Sequence, residues 1–205
     1  PGEISLSHNG VLFLDELPEF HRNLLEGLRQ PLEEGGITIG RAATSVSYPA
    51  KFMLIAAMNP CPCGFYGDSR KQCHCTPRQI QNYIGKISGP LLDRIYIHIE
   101  VPAIAYKELA SKTEGTSSAR IRQGVSQARK MQSERFSNEK ILTNSRMNNR
   151  QVKKFCKLDD DSDTLLKQAI DELGLSARAY TRILKVARTI ADLEGADAIE
   201  LNHIS

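Results

Sequence analysis

Hydrophobic residues are spaced in two different ways along this chain. In the first half, Val11 to Leu14 and Phe52 to Ala57 are short unbroken apolar runs, the pattern of strands covered on both faces in a parallel sheet. Ile95, Ile97, Ile99 and Val101 instead alternate with Tyr96, His98 and Glu100, which predicts a third strand with one polar face. Between the first two runs, Phe20, Leu24, Leu28 and Leu32 recur at helical spacing, and Gly35 and Gly36 end the series. Strand, helix and strand in this order make a crossover unit. Ile37 to Arg41 and Ser45 to Tyr48, joined by small residues, predict a β-hairpin that projects before the second strand.

From about Ala103 the period changes. Pro102 and the small, polar stretch Lys112 to Ser118 read as a linker, and the remainder is helical: Ala119 to Phe136, Asn148 to Phe155, Thr164 to Leu173 and Ala177 to Glu194, with Gly174 and Gly195 as stops. The expected organisation is an α/β part over residues 1–105, a linker over 106–118 and a helical part over 119–205. There is no internal repeat.

Composition narrows this picture only a little. With 205 residues, 40% hydrophobic and 25% charged, the chain can bury a core of ordinary globular kind. Its net charge of +3 is only mildly basic and too weak by itself to point to nucleic acid, for which a decisive footprint would be clustered. No apolar run approaches the ~20 residues of a membrane helix and no leader pattern is visible, so a soluble cytoplasmic protein is expected. The chain opens at Pro1 and closes in what reads as a new helix at Ile199 to Ser205, which suggests that both ends are cuts in a longer polypeptide.

The chemistry-bearing residues stand at the ends of the apolar runs. Gly10-Val11-Leu12-Phe13-Leu14-Asp15-Glu16 is a buried-strand pattern ending in two carboxylates. Ligands of open α/β sheets bind at the carboxyl ends of strands, where an Asp can hold the water shell of Mg²⁺ and a following Glu can take a proton from attacking water. Alternatively, both residues end the strand and supply favourable charge to a helix starting at Pro18. Leu54-Ile55-Ala56-Ala57-Met58-Asn59-Pro60 brings a neutral amide to the same end of the sheet, where Asn59 can bond a phosphate or the attacking water; Asn-Pro is also a common turn opener.

Taken together, these segments, with Gly89-Pro90-Leu91-Leu92-Asp93-Arg94-Ile95 and the run from Gly174-Leu175-Ser176-Ala177-Arg178 to Glu194-Gly195, resemble the bacterial Mg chelatase-like proteins of the ComM/YifB group. That group is related to magnesium chelatase ATPase subunits and to MCM helicases. The resemblance spans essentially the whole chain. It implies a partial AAA+ (P-loop NTPase) module: a parallel α/β sheet with an inserted β-hairpin, followed by an all-α helical lid.

Residue by residue, the resemblance makes Asp15 and Glu16 the Walker B pair, Asp15 on Mg²⁺ and Glu16 as general base. Asn59 becomes sensor 1, Arg94 the arginine finger for a neighbouring subunit's ATP, and Arg178 sensor 2. The local sequence supports the last role, because Ser176 can cap a helix whose first turn contains Arg178, where a cation opposes the helix dipole unless an anion is near. The plainer readings are a solvated Arg178 and a surface pair of Arg94 with Asp93 worth ~0–1 kcal/mol.

The sequence contains no Gly-x-x-x-x-Gly-Lys-Ser/Thr phosphate loop. Gly35 to Ala42 comes closest but has Arg41 and Ala42 where Lys and Ser/Thr belong. In the family the loop precedes the Walker B strand, so the expected partner is the protein's own N-terminal half, and this chain alone should neither bind nor hydrolyse ATP. An arginine finger acting in trans implies a head-to-tail homo-oligomeric ring, with a hexamer expected.

Two further features stand out. Cys61, Cys63, Cys73 and Cys75 form Cys-x-Cys, nine residues, Cys-x-Cys, and four thiolates can close a structural Zn²⁺ site; packing of Cys61 and Cys63 is the alternative. Cys156 falls among helical apolar positions and belongs to a core. The hairpin tip, Arg41 to Thr44, resembles the presensor hairpin of MCM relatives, in which a basic residue tracks DNA; a solvated turn is the alternative. The leading expectation is an ATP-driven motor on DNA, of helicase or branch-migration type. Metal insertion into a tetrapyrrole and a non-catalytic zinc-stabilised adaptor are the rivals.

Overall fold

The structure, a computed structural model, describes residues 2–41, 44–102 and 115–205. The chain divides into two compact units, Pro1–Tyr106 and Lys107–Ser205. Most of the expected linker, 106–118, lies outside the described residues, as do Ala42, Ala43 and the side chain of Arg41.

The first unit is built on two parallel strands, β1 (Val11–Leu14) and β2 (Met53–Ala56), with Val11 opposite Met53 and Leu14 opposite Ala56. A short helix α1 (Glu3–Leu6) precedes β1. The crossover leaves β1 through a 3-10 turn, Leu17–Glu19, and continues as α2 (Arg22–Gly27) and α3 (Arg29–Glu34). The single helix expected from the Phe20 to Leu32 periodicity is therefore broken at Leu28. Pro31 explains the break: it has no N–H for the Gly27 carbonyl, and its ring crowds that carbonyl.

Antiparallel segments Gly36–Arg41 and Thr44–Pro49 follow, paired from Gly36 opposite Pro49 to Arg41 opposite Thr44. Gly36–Arg41 is thus strand and not the loop-then-helix geometry that holds phosphate. After β2 the chain runs through a long loop to α4 (Pro77–Ile84) and α5 (Gly89–Leu92).

The sheet has one covered face. Leu12, Leu17, Leu25, Leu28, Ile87 and Leu91 form the core, with Leu14, Phe52 and Leu54 packed against it. Val11, Phe13, Met53 and Ile55 point the other way and are 45–59% exposed, contrary to the expectation of strands buried on both faces. An unbroken apolar run signals residues that favour burial on both sides but does not supply the second cover. The third strand expected at Ile95 to Val101 does not form either. Ile97, Ile99 and Val101 are 65–79% exposed, and among the described residues no neighbouring strand completes their hydrogen bonds.

The second unit is helical: α6 (Ser118–Arg135), α7 (Asn149–Phe155), α8 (Asp160–Leu173) and α9 (Ala177–Glu194). Its core joins Phe136, Met147, Val152, Cys156, Leu166, Leu184, Ala187 and Ile199, and Phe136 meets Phe155 edge-on at 5.5 Å between ring centres. Cys156 is buried there, and burial pushes its thiol up to about 11.

Helix α8 starts a turn before the expected Thr164. The Asp159 carboxylate accepts from the Ser162 N–H at 2.8 Å, and Asp160, Asp161 and Asp163 place negative charge in the first turn. Gly174 and Gly195 end α8 and α9 at φ 60° and 76°, left-handed positions that a side chain would strain. Among the described residues no helix is long and apolar enough to cross a membrane.

Candidate functional site

Parallel pairing decides which residues share an edge. Because Leu14 lies opposite Ala56, Asp15–Glu16 and Ala57–Asn59 leave the sheet at the same, carboxyl, end. Backbone bonds continue the alignment past the strands, from Ala57 N–H to Leu14 O at 2.9 Å and from Leu17 N–H to Ala57 O at 3.0 Å. Asp15, Glu16 and Asn59 are all exposed there.

Glu16 is held in an unusual conformation, φ 51° and ψ 47°. This left-handed geometry costs a residue with a Cβ about 1–2 kcal/mol, and Glu has no side-chain habit that offsets it. Its N–H donates to Asp15 Oδ1 at 2.9 Å, so the strained turn also orients the preceding carboxylate. Glu16 makes no side-chain cap on the 3-10 turn that follows, which removes the simplest structural reason for an acidic residue there. Strain kept at a strand end, beside exposed carboxylates, is a pattern of functional sites.

Asn59 is approached from behind. The buried Tyr83 of α4 has the Asn59 backbone N–H near its hydroxyl, and burial, followed by the charge of Glu19, raises the pKa of that hydroxyl. The sequence offered no sign of this neighbour beyond one aromatic on an amphipathic helix.

Arg94, just after α5, is committed within its own chain. Its Nη1 donates to Pro90 O at 2.6 Å, its Nη2 pairs with Glu33 of α3, and its Nε is buried with no hydrogen-bond partner. Glu33 stands 61 positions away and carries no signal in the sequence. In the helical unit, Ser176 Oγ accepts from the Ala179 N–H at 3.2 Å and caps α9, which places Arg178 in the first turn.

A separate group of side chains lies in the loop between β2 and α4. The sulfurs of Cys61, Cys63, Cys73 and Cys75 are all within 4.8 Å of one another, and none of these cysteines is in a disulfide. The Cys63 thiol is drawn down to about 6 by the backbone N–H groups of Phe65 and His74. The Cys75 thiol is pushed up to about 12, by burial first and then by the Cys63 sulfur beside it. Thiols this close cannot all ionise unless a cation sits among them.

A small parallel sheet with strand-end carboxylates, followed by a helical unit, is consistent with part of an AAA+ module. Residues 1–109 match the family model for magnesium chelatase, subunit ChlI, and residues 115–205 match the model for its C-terminal part. Competence protein ComM of Haemophilus influenzae is 48% identical over 206 residues, which cover 100% of this chain and 39% of that protein. The uncharacterized protein YifB of Salmonella typhimurium is 46% identical over 205 residues, with coverage of 100% and 39%. Magnesium-chelatase subunit ChlI-2 of Arabidopsis thaliana is 25% identical over 206 residues, covering 100% and 43%. The chain belongs to the Mg chelatase-like family, in its ComM/YifB group, and spans about 39% of the length of those two relatives.

Proposed function

We propose that this chain is the Walker B, sensor and lid portion of an AAA+ ATPase that works as a ring-shaped motor on DNA. The observation that carries the reading is the register of β1 and β2, which brings two carboxylates, one of them strained, and an amide out at one sheet end. Asp15 would hold Mg²⁺ with the nucleotide, and the ion would neutralise charge on the phosphates. Glu16 takes the proton of the attacking water, and Asn59 bonds that water or the terminal phosphate without adding negative charge. Arg94 serves the neighbouring copy's nucleotide after exchanging Glu33 for phosphate, and Arg178, in the first turn of α9, is the sensor 2 residue. Such a finger typically contributes ~10³–10⁵ in rate.

The open face of the sheet supports a further half. Val11, Phe13, Met53 and Ile55 are apolar and exposed in a chain that spans 39% of its ComM relative, and the phosphate loop would come from the remainder. Zn²⁺ in the four-sulfur cage would serve structure alone, since four protein ligands leave no open position for a substrate.

DNA is favoured over a neutral partner by charge. Residues 118–157 carry eleven Lys and Arg against two Glu, and Arg120, Arg122, Arg129, Arg150 and Lys153 are exposed. Contacts of this kind are sequence-independent and weaken with salt. Arg41 at the hairpin tip would add one more.

A second reading, a motor that drives metal insertion into a tetrapyrrole, draws support from the match of both units to the chelatase subunit models. ATP hydrolysis by a protein of the relatives' full length, measured with and without branched DNA and alongside strand displacement, separates them. Stimulation by DNA with strand displacement is expected; porphyrin metallation without a DNA response would overturn the motor on DNA.

A further inference from the structure

We propose that Cys61, Cys63, Cys73 and Cys75 bind one Zn²⁺ as four thiolates, and that the ion clamps the loop that holds Asn59 in place. The second half rests on the reading of Asn59 as a phosphate or water sensor. The first half does not.

The spacing of the sulfurs is the first support. Cys61 and Cys63 are 3.4 Å apart, Cys63 and Cys73 3.6 Å, and Cys61 and Cys73 3.7 Å. A tetrahedral site with Zn–S of ~2.3 Å has sulfur–sulfur edges of about 3.8 Å, whereas a disulfide would bring two sulfurs to ~2.05 Å. A cage this tight has room for a single ion and not for an iron cluster with its own sulfides. Four soft thiolates select zinc over the hard cations that suit carboxylates.

The loop itself requires such a staple. Residues 57–76 contain no helix or strand, and a loop of this length inside a compact unit is rare without function or a cross-link. Its own bonds include Gly64 N–H to Cys61 O at 3.0 Å, Asp68 N–H to Phe65 O at 3.1 Å, Arg70 and Lys71 N–H to Asp68 Oδ1 at 2.6 and 3.2 Å, and Cys75 N–H to Cys73 Sγ at 3.4 Å, all of them local. The last is the backbone-to-sulfur bond that orients a metal-binding thiolate. Gly64 at φ 80° and Gly67 at φ 83° let the backbone double back so that the two Cys-x-Cys pairs meet. Arg70, Lys71 and Arg78 surround the cage in sequence with positive charge, which suits a site carrying four thiolates and one divalent ion.

Position makes the clamp consequential. Asn59 precedes Cys61 by one proline, and Cys75 precedes Thr76, which caps α4 in a reciprocal box with Gln79. Tyr83 of that same helix lies near the Asn59 N–H. The cage ties the segment that carries Asn59 to the start of α4, and so to Tyr83, because Cys61 and Cys75 flank the two sides of the loop. Metal loss frees the loop, because binding and folding of such a segment are one process.

Elemental analysis of the purified 205-residue chain is expected to give about one zinc per chain. Growth with cobalt should give the intense visible bands of tetrahedral thiolate cobalt. Cys73→Ser should lose the metal, and Cys63→His should retain it, since three cysteines and one histidine also close a zinc site. On the wild-type chain, a strong chelator should speed hydrogen exchange of the Asn59 amide at least tenfold while leaving the amides of residues 36–41 and 44–48 unchanged. Metal-free protein with four freely alkylated thiols, or bound iron in place of zinc, would overturn the site. Zinc whose removal leaves Asn59 exchange unaltered would overturn the clamp. Asn59→Ala in a full-length relative should abolish ATP hydrolysis at unchanged zinc content, so unaltered hydrolysis would defeat the sensor reading and leave the metal site standing.

Discussion

Replacing Asp192 with Ala removes the one acidic group from a buried cluster that ties α6, α9 and the turn after α9 together. Asp192 is fully buried, and its carboxylate accepts from Arg135 Nη1 at 2.8 Å, Asn144 Nδ2 at 2.7 Å and Arg188 Nε at 3.1 Å. Arg188 is 2% exposed and also donates to Ala196 O at 2.6 Å and Asp197 O at 2.8 Å. Deleting the carboxylate leaves two guanidinium groups without a counter-charge and a buried amide with fewer partners, a loss of roughly 3–5 kcal/mol. Domains have about 5–15 kcal/mol in total, so the helical unit should become marginal. For a unit of about 90 residues this corresponds to a fall in Tm of roughly 15–30 °C. Urea unfolding followed by far-ultraviolet circular dichroism reads the change, and Asp192→Asn, which keeps the shape and part of the bonding, should fall between wild type and Asp192→Ala. A loss below about 1 kcal/mol for Asp192→Ala would show that the cluster is solvated in solution, and the reasoning would fail.

Acid should attack the same cluster. Burial raises the Asp192 carboxyl, but the hydrogen bonds from Arg135 and Asn144 and the two guanidinium charges outweigh it and bring it below the ordinary 3.8. A depressed carboxyl contributes stability above its unfolded value and loses it as pH falls through the folded one, so the helical unit should weaken below about pH 4 while Asp192→Asn loses much of that dependence. Glu16→Gly should stabilise the α/β unit by roughly 0.5–1 kcal/mol, because glycine accepts φ 51° without strain; urea midpoints that fall instead would mean the turn is not strained. The 205-residue chain should show no ATP affinity by calorimetry, since it has no phosphate loop; micromolar binding would require a different nucleotide site.

The parts of the fold visible in the sequence are those that local pattern controls. Val11 to Leu14 and the core of Phe52 to Ala57 form strands, Ala177 to Glu194 is helical between the expected cap and stop, and Cys156 is in a core. What depends on a neighbour does not follow from local pattern. Ile95 to Val101 alternates like a strand but has no ladder to join among the described residues, and the outer face of β1 and β2 is apolar yet open. The break at Leu28 was legible in principle, since Gly27 and Pro31 flank it, but the leucine periodicity hid it.

At the candidate site, residue types could be named in advance and their states could not. Nothing in Asp15-Glu16-Leu17-Pro18 announces a left-handed Glu16, nothing local ties Arg94 to Glu33, and the Cys-x-Cys spacing gives four sulfurs without their separation. These features arise from tertiary closure, which a linear pattern records only at its ends.

Turnover by a full-length relative carrying Glu16→Gln tests the reading of the sheet edge most directly. Removing the proton acceptor while keeping size and polarity should lower ATP hydrolysis by ~10²–10⁴-fold and leave ATP binding intact. Hydrolysis within twofold of wild type, with binding unchanged, would mean that the strained glutamate at the end of β1 is not the residue that activates water.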